Sequence, residues 1–296
     1  MQNTRIILKC VSLVASTLMP IMLRFALMRR RTLLNSLSVA AAISSTGLRA
    51  HAGPKRQARQ VLELRTYSFA SADKQATFES FLGNAGIPAW NRAGVQPVGV
   101  FKVLAADNPD NKAADAQMQL YVLLPHNTFE AFSTCDQRLS RDAVLARDGG
   151  EVLAAQKSDP AFLRWQSTLL MGFAGWPRVT VPKFAAPADR VFELRTYESH
   201  NEERAQNKVS MFEHGEFPIF ERAGMYGVFF GTALAGSGLP QLTYMVAHKS
   251  QQDIKANWKA FFNDLQWKRL SSEAAYKDNV SKVDSRFLTP TSASQV

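Results

Sequence analysis

The sequence predicts an α+β protein in which two tandem copies of one β-α-β-β-α-β unit, the ferredoxin-like plan, close face to face into an intramolecular barrel. Internal repetition carries the prediction. Val61-Leu-Glu-Leu-Arg-Thr-Tyr67 recurs as Val191-Phe-Glu-Leu-Arg-Thr-Tyr197 at an offset of 130 residues, and Pro88, Arg92-Ala93-Gly94 and Val98 recur at that offset as Pro218, Arg222-Ala223-Gly224 and Val228. At an offset of 122, Leu120 and His126 recur as Leu242 and His248, so the length difference lies in the loop between the second and third strands. A sheet of this plan carries helices on one side only. Two copies in one chain can each cover the face that the other leaves bare.

The elements follow in order. Val61 to Tyr67 is β-branched and alternating, hence a strand, and Val191 to Tyr197 repeats it. Phe78, Phe81, Leu82 and Ala85 fall on one helix face, as do Ala205, Val209 and Phe212 in the second copy. Each helix should be interrupted near Pro88 or Pro218, which lack an amide donor, and should stop at Gly94 or Gly224. Strands follow at 98–104 and 118–124, and at 228–234 and 242–247, each third strand leading through an N-cap, Thr128 or Ser250, into a further helix. A last strand is expected at 167–173 and at 282–288. The first copy thus spans 61–176 after a short lead-in at 53–60, the second spans 191–289, and residues 290–296 form a tail. Between the copies, residues 177–190 with Pro177, Pro182 and Pro187 make a stiff extended linker.

The formal charge of +10 suggests nucleic acid at first sight, but seven basic residues and no acidic ones lie in residues 1–52. From Gly53 onward, 28 basic residues face 25 acidic ones, too small an excess for a phosphate-binding face. Met28-Arg29-Arg30-Arg31-Thr32-Leu33-Leu34, a mild apolar stretch and Ala50-His51-Ala52 read as a twin-arginine-like signal peptide cleaved after Ala52. The expected destination is the periplasm or another extracytoplasmic space. Residues 10–23 are uncharged but short for a bilayer and broken by Pro20. A start at Met28 and a retained N-terminus starting at Met1 both remain open, and no stable membrane span is expected once the leader is cleaved. Beyond the leader one cysteine, Cys135, remains, which reads as a small buried side chain rather than a nucleophile.

The paired ELRTY strands, the Ala-Gly helix stop after a proline, and Trp258, Phe261, Asp264 and Trp267 in W-x-x-F-x-x-D-x-x-W spacing resemble the NIPSNAP family. The resemblance spans about 61–289 and is more specific in the second half. It implies the dimeric α+β barrel architecture, here within one chain, and brings no catalytic residue set. The first half departs from it, lacking counterparts of Trp258, Asp264 and Trp267 and inserting Asp142 to Asp159.

Strand alternation separates Leu62, Leu64 and Thr66 from Glu63, Arg65 and Tyr67. Placing the leucines against the helices points Glu63, Arg65 and Tyr67, with Glu193, Arg195 and Tyr197, into the lumen. There they form either a satisfied polar network or a ligand site. His214, which stands where the first copy has Asn84, is the candidate general base at the rim of a cleft. The repetition of His126 and His248 suggests a structural hydrogen bond. No metal-ligand spacing occurs and no cofactor is called for, although His214 or His248 could ligate haem.

The function expected from these residues is binding of a small, partly apolar molecule in a cleft between sheet and helices, or mediation of interactions. The first alternative is a cofactor-free monooxygenase or isomerase using His214 with Arg195 and Tyr197. The second is a purely structural partner. A monomeric pseudo-dimer and a homo-oligomer both fit.

Overall fold

A computed structural model describes residues 57–104, 118–184 and 189–296. The leader and its signal sequence lie outside the described residues. The described strands are β1 (Val61–Ser68), β2 (Gly99–Val103), β3 (Gln119–His126) and β4 (Arg164–Gly172) in the first half, and β5 (Val191–Glu198), β6 (Tyr226–Ala235), β7 (Gln241–His248) and β8 (Lys282–Pro290) in the second. They close a barrel in the order β1-β3-β2-β8-β5-β7-β6-β4. Each half contributes the four-stranded ferredoxin-like sheet, and every pairing is antiparallel. The halves are joined by β2 with β8 and by β4 with β6, so each copy's last strand completes its own sheet and pairs with the other's second strand.

The first helix of each half has the same three parts. Residues Ala72–Phe81 (α1) run into a π-helical turn at Leu82–Gly86 and then Ile87–Arg92 (α2). The second copy has its α-helix at Glu202–Met211, its π turn at Phe212–Glu216 and its closing helix at Phe217–Arg222, all at the 130-residue offset. The break thus falls just before the prolines, which sit in the first turn of the closing helices, where a missing N–H costs nothing. Gly94 and Gly224 adopt φ of 83° and 82°. Val95 N donates to Trp90 O and Gly94 N to Asn91 O, which is a Schellman stop. A Cβ at Gly94 would meet no atom within 4 Å. Gly94→Ala should therefore cost only the left-handed backbone strain, about 1 kcal/mol, read as a shift of the urea midpoint.

Thr128 caps Phe129–Ser133 (α3), as expected, through its hydroxyl and Ala131 N. Ser250 does not cap the backbone; its hydroxyl donates to the Asp253 carboxylate ahead of the helix at Asp253–Asn263. Three further short helices in the first half, Cys135–Ser140 (α4), Ala143–Asp148 (α5) and Gly150–Leu153 (α6), include the inserted segment. The linker is stitched to both halves: Pro177 O accepts from Gln60 N and Thr180 N donates to Val228 O. The tail is also built in, with Thr291 and Val296 buried and Gln295 N bonded to Val98 O.

The lumen reverses one expectation from alternation. Leu62, Leu64, Phe101, Leu123, Leu170, Phe192, Leu194, Met245 and Leu288 pack together inside the barrel. Glu63, Arg65 and Tyr67, with Glu193, Arg195 and Tyr197, consequently point outward beneath the helices. The reason is physical: a closed eight-stranded lumen is the driest space in the molecule and has room only for side chains. The layer between sheet and helices can instead offer indoles and hydroxyls as partners to a charge.

Candidate functional site

Beneath each helical layer the same polar unit is assembled. In the first half Arg65 donates to both oxygens of Glu63, from Nε at 2.7 Å and Nη2 at 3.0 Å, while Nη1 donates to the Tyr67 hydroxyl at 3.3 Å. Ser167 on β4 donates to Glu63 Oε1 at 3.1 Å. The Arg65 guanidinium lies 4.5 Å from the ring centre of Trp165 and 5.9 Å from that of Trp90. In the second half Arg195 Nη1 donates to Glu193 Oε1 at 2.6 Å and Nε to the Tyr197 hydroxyl at 3.2 Å, and Ser285 donates to the same carboxylate at 3.0 Å. There the arginine is covered by Trp258, 4.7 Å away. Residues two apart on a strand share a face, which is why Glu, Arg and Tyr in E-L-R-T-Y meet. Ser167 and Ser285 escaped the sequence reading, though each stands at the same place in its last strand.

The copies differ around this unit. Glu193 also accepts from Trp258 Nε1 at 2.8 Å and is bonded to His248 Nε2 at 3.1 Å, while His248 Nδ1 meets Asn257. His126, its counterpart, is fully buried with Nε2 3.7 Å from Glu63 Oε2, and neither ring nitrogen has a hydrogen-bond partner among the described residues. The structural bond expected of both histidines is thus present only in the second half. The W-x-x-F-x-x-D-x-x-W motif is accounted for: Trp258 binds Glu193, Phe261 is core, Trp267 packs on Phe261, and Asp264 caps the helix Leu265–Ser272 and pairs with Arg222.

Burial alone would raise the Glu63 carboxyl, but His126, Arg65 and Ser167 outweigh it and hold it at about 2. Glu193 is likewise lowered, burial being overcome by His248 and Arg195. A carboxyl depressed in the folded state stabilises above its unfolded pKa and stops doing so as pH falls through the folded value. The Glu63 contribution, on the order of 3 kcal/mol, should therefore disappear between about pH 4.5 and pH 2. A urea midpoint flat across that window would contradict it.

His214 is exposed, with Nδ1 bonded to Ser210 Oγ at 2.9 Å and Tyr276 OH at 3.3 Å. Its bonds are to helix-surface groups, whereas in the layer below Arg195 bonds to Glu193 and Tyr197, and the Tyr197 hydroxyl to that of Tyr244. Cys135 is buried, and burial raises its thiol, as suits an inert packing side chain. Among the described residues no His, Cys, Asp and Glu group is arranged to hold a metal, and no helix is long and apolar enough to cross a membrane.

A cavity of about 380 Å³ opens beside the first polar unit, between sheet and helices. Tyr67 and Phe162 form its floor, Phe78, Phe81, Leu82, Gly86 and Trp90 one wall, and Leu139, Leu145, Val152 and Leu153 from α4, α5 and α6 the other. The inserted segment is its roof, a role that no periodicity or motif announces. Tyr67, Trp90 and Ser140 are the lining residues that carry polar groups. The Tyr67 hydroxyl accepts from Arg65 and keeps its own proton for another acceptor, and Trp90 Nε1 is buried without a partner among the described residues. Burial raises Tyr67, so its phenol is neutral. A second cavity, about 470 Å³, lies under the linker between Trp176, Val181, Phe217 and Tyr226.

The second half, with its Trp258-to-Trp267 motif set around Glu193, matches the family model of NIPSNAP over residues 192–295. Residues 192–295 are a NIPSNAP domain. The first half repeats its fold and its polar unit outside the matched span. A candidate monooxygenase from Lactobacillus acidophilus superposes with a TM-score of 0.54, covering 78% of this chain and 94% of its own at 10% identity, and shares the α+β barrel fold. A second candidate monooxygenase, from Fusobacterium nucleatum, covers 79% of this chain and 93% of its own at 11% identity and a TM-score of 0.47. A NIPSNAP family protein of unknown function from Agrobacterium tumefaciens covers 35% of this chain and 89% of its own at 14% identity and a TM-score of 0.31. Among curated proteins none matches the sequence.

Proposed function

We propose that this NIPSNAP-domain protein binds one small, largely apolar molecule, bearing a single hydrogen-bond acceptor, in the cavity of its first half. The observation that carries the reading is the asymmetry of the copies: the first half keeps an apolar cavity against Tyr67, whereas the equivalent positions of the second hold a buried ion pair, Lys208 with Glu216 at 2.8 Å. The volume is at the lower end of ligand pockets, and apolar walls with few polar groups are their usual lining. The acceptor, a carbonyl or ether oxygen, would meet the Tyr67 proton. Arg65 polarises the phenol and, held by Glu63, stays in place whether or not a ligand is present.

A filling substitution tests this. Gly86 has ordinary helical φ, and a Cβ there would lie 3.1 Å from the movable Leu82 Cδ2, so Gly86→Glu fits the backbone while sending a side chain into the space. N-phenyl-1-naphthylamine, a neutral fluorescent probe, should bind the native chain, and Gly86→Glu should weaken its binding at least tenfold with circular dichroism unchanged. Equal binding by both chains would sink the reading. The alternative with His214 as base has no comparable support, since the exposed imidazole bonds to Ser210 and Tyr276. We also propose export through the twin-arginine-like leader, on the strength of its charge and cleavage pattern. A mature chain that N-terminal sequencing shows to begin at Gly53 would support it, and an intact leader on the cell's protein would contradict it.

A further inference from the structure

The repeat offset allows the two interiors to be compared residue by residue. The first helix and π turn of one half map onto those of the other with no gap, so cavity-lining Tyr67, Phe78, Phe81, Leu82 and Gly86 correspond to Tyr197, Lys208, Met211, Phe212 and Glu216. Lys208 is 5% exposed and Glu216 2%. The Lys208 ammonium lies 3.4 Å from Met211 Sδ, 4.6 Å from the Phe212 ring centre and 5.6 Å from that of Tyr197. Each of these neighbours is the counterpart of a residue lining the first cavity. The ammonium therefore stands where, by pseudo-symmetry, a ligand would stand, and the Glu216 carboxylate fills the space that the hydrogen of Gly86 leaves open.

We propose that Lys208 and Glu216 set the number of ligand sites in the chain: they close a second site, for the same class of small apolar molecule, that the duplicated fold would otherwise provide in the NIPSNAP half. The pair acts as a built-in occupant. Its charges are matched to each other by the 2.8 Å bond, and the surrounding rings hold the cation by their faces. Removing both charges together leaves neither one buried alone, so the site can be opened without an uncompensated ion.

This inference rests on the proposed first-half site, but its test separates the two. The full-length mature chain is titrated with N-phenyl-1-naphthylamine at concentrations that count bound probe. Lys208→Phe with Glu216→Gly, which copies the first half into the second, should bind one probe more per chain than wild type. The reverse exchange, Phe78→Lys with Gly86→Glu, should bind one fewer. A folded forward variant with the wild-type count overturns the inference. If the forward variant does not fold, the reverse decides, and an unchanged count there overturns it. A wild-type chain that binds nothing while the forward variant binds one sinks the first-half site and leaves this inference standing.

Discussion

Glu193→Ala is expected to destabilise the protein by about 3–5 kcal/mol, the cost of breaking a buried charge pair from one side. Four donors converge on this one carboxylate: Arg195, Ser285, Trp258 and, through Nε2, His248. Truncation leaves a largely buried guanidinium without its carboxylate and strips the indole N–H of its partner. Trp258 and Ser285 belong to elements far from β5 in sequence, so the carboxylate also ties the last strand and the helix Asp253–Asn263 to the sheet. With about 2–4 °C per kcal/mol for a domain of this size, the melting temperature should fall by roughly 6–20 °C. Ser285→Ala, which removes one neutral donor, should cost only about 1 kcal/mol. Equal effects of the two substitutions would show that the carboxylate is not the hub that the geometry makes it.

Lys208→Met should cost a similar 3–5 kcal/mol, whereas Lys208→Met combined with Glu216→Met should fall within about 1 kcal/mol of wild type. Losing one partner of a buried pair strands the other charge, whereas losing both strands none. Burial raises the Glu216 carboxyl, and only Lys208 and, more weakly, Arg195 oppose this. Without the lysine, Glu216 at neutral pH must either ionise unpaired or take up a proton that the unfolded chain would not hold. A carboxyl raised in the folded state gains stability as pH falls. The single variant should therefore recover part of its loss between pH 7 and pH 5, and the double variant should show no such recovery. Denaturant unfolding of wild type, Lys208→Met, Glu216→Met and the double variant at the two pH values gives the coupling directly.

The repeat made the architecture legible because both copies obey the same local rules: the ELRTY strand, the proline just inside a helix, the glycine with positive φ after it. Which face of each strand turns into the lumen was not legible. In β3, Leu120 to Leu124 are all apolar and buried, and a strand buried on both faces gives alternation nothing to choose between. The choice of face for Leu62 and Glu63 is made by closure, a tertiary event. The residues of the polar unit could be named from E-x-R-x-Y spacing, but Ser167 could not, lying 104 residues from its carboxylate in a strand with little pattern of its own. The cavity was less visible still. Its roof comes from the inserted segment 142–159, where short helices pack only a few apolar side chains each, and its openness depends on Gly86 being small.

Carrying both sheets in one chain, with β2 paired to β8 and β4 to β6, gives a freedom that a two-chain barrel lacks. In a homodimer each substitution appears twice, so a lysine and glutamate that seal one interior seal both, and a residue that favours ligand in one must be tolerated in the other. Joining the copies through residues 177–190 removes that constraint. One copy is free to be optimised for rigidity, with Glu193 saturated by donors and an ion pair in its interior, while the other keeps the loosely roofed, unsatisfied chemistry of Trp90 and His126. The fusion turns a symmetric assembly into one whose two ends evolve under different demands.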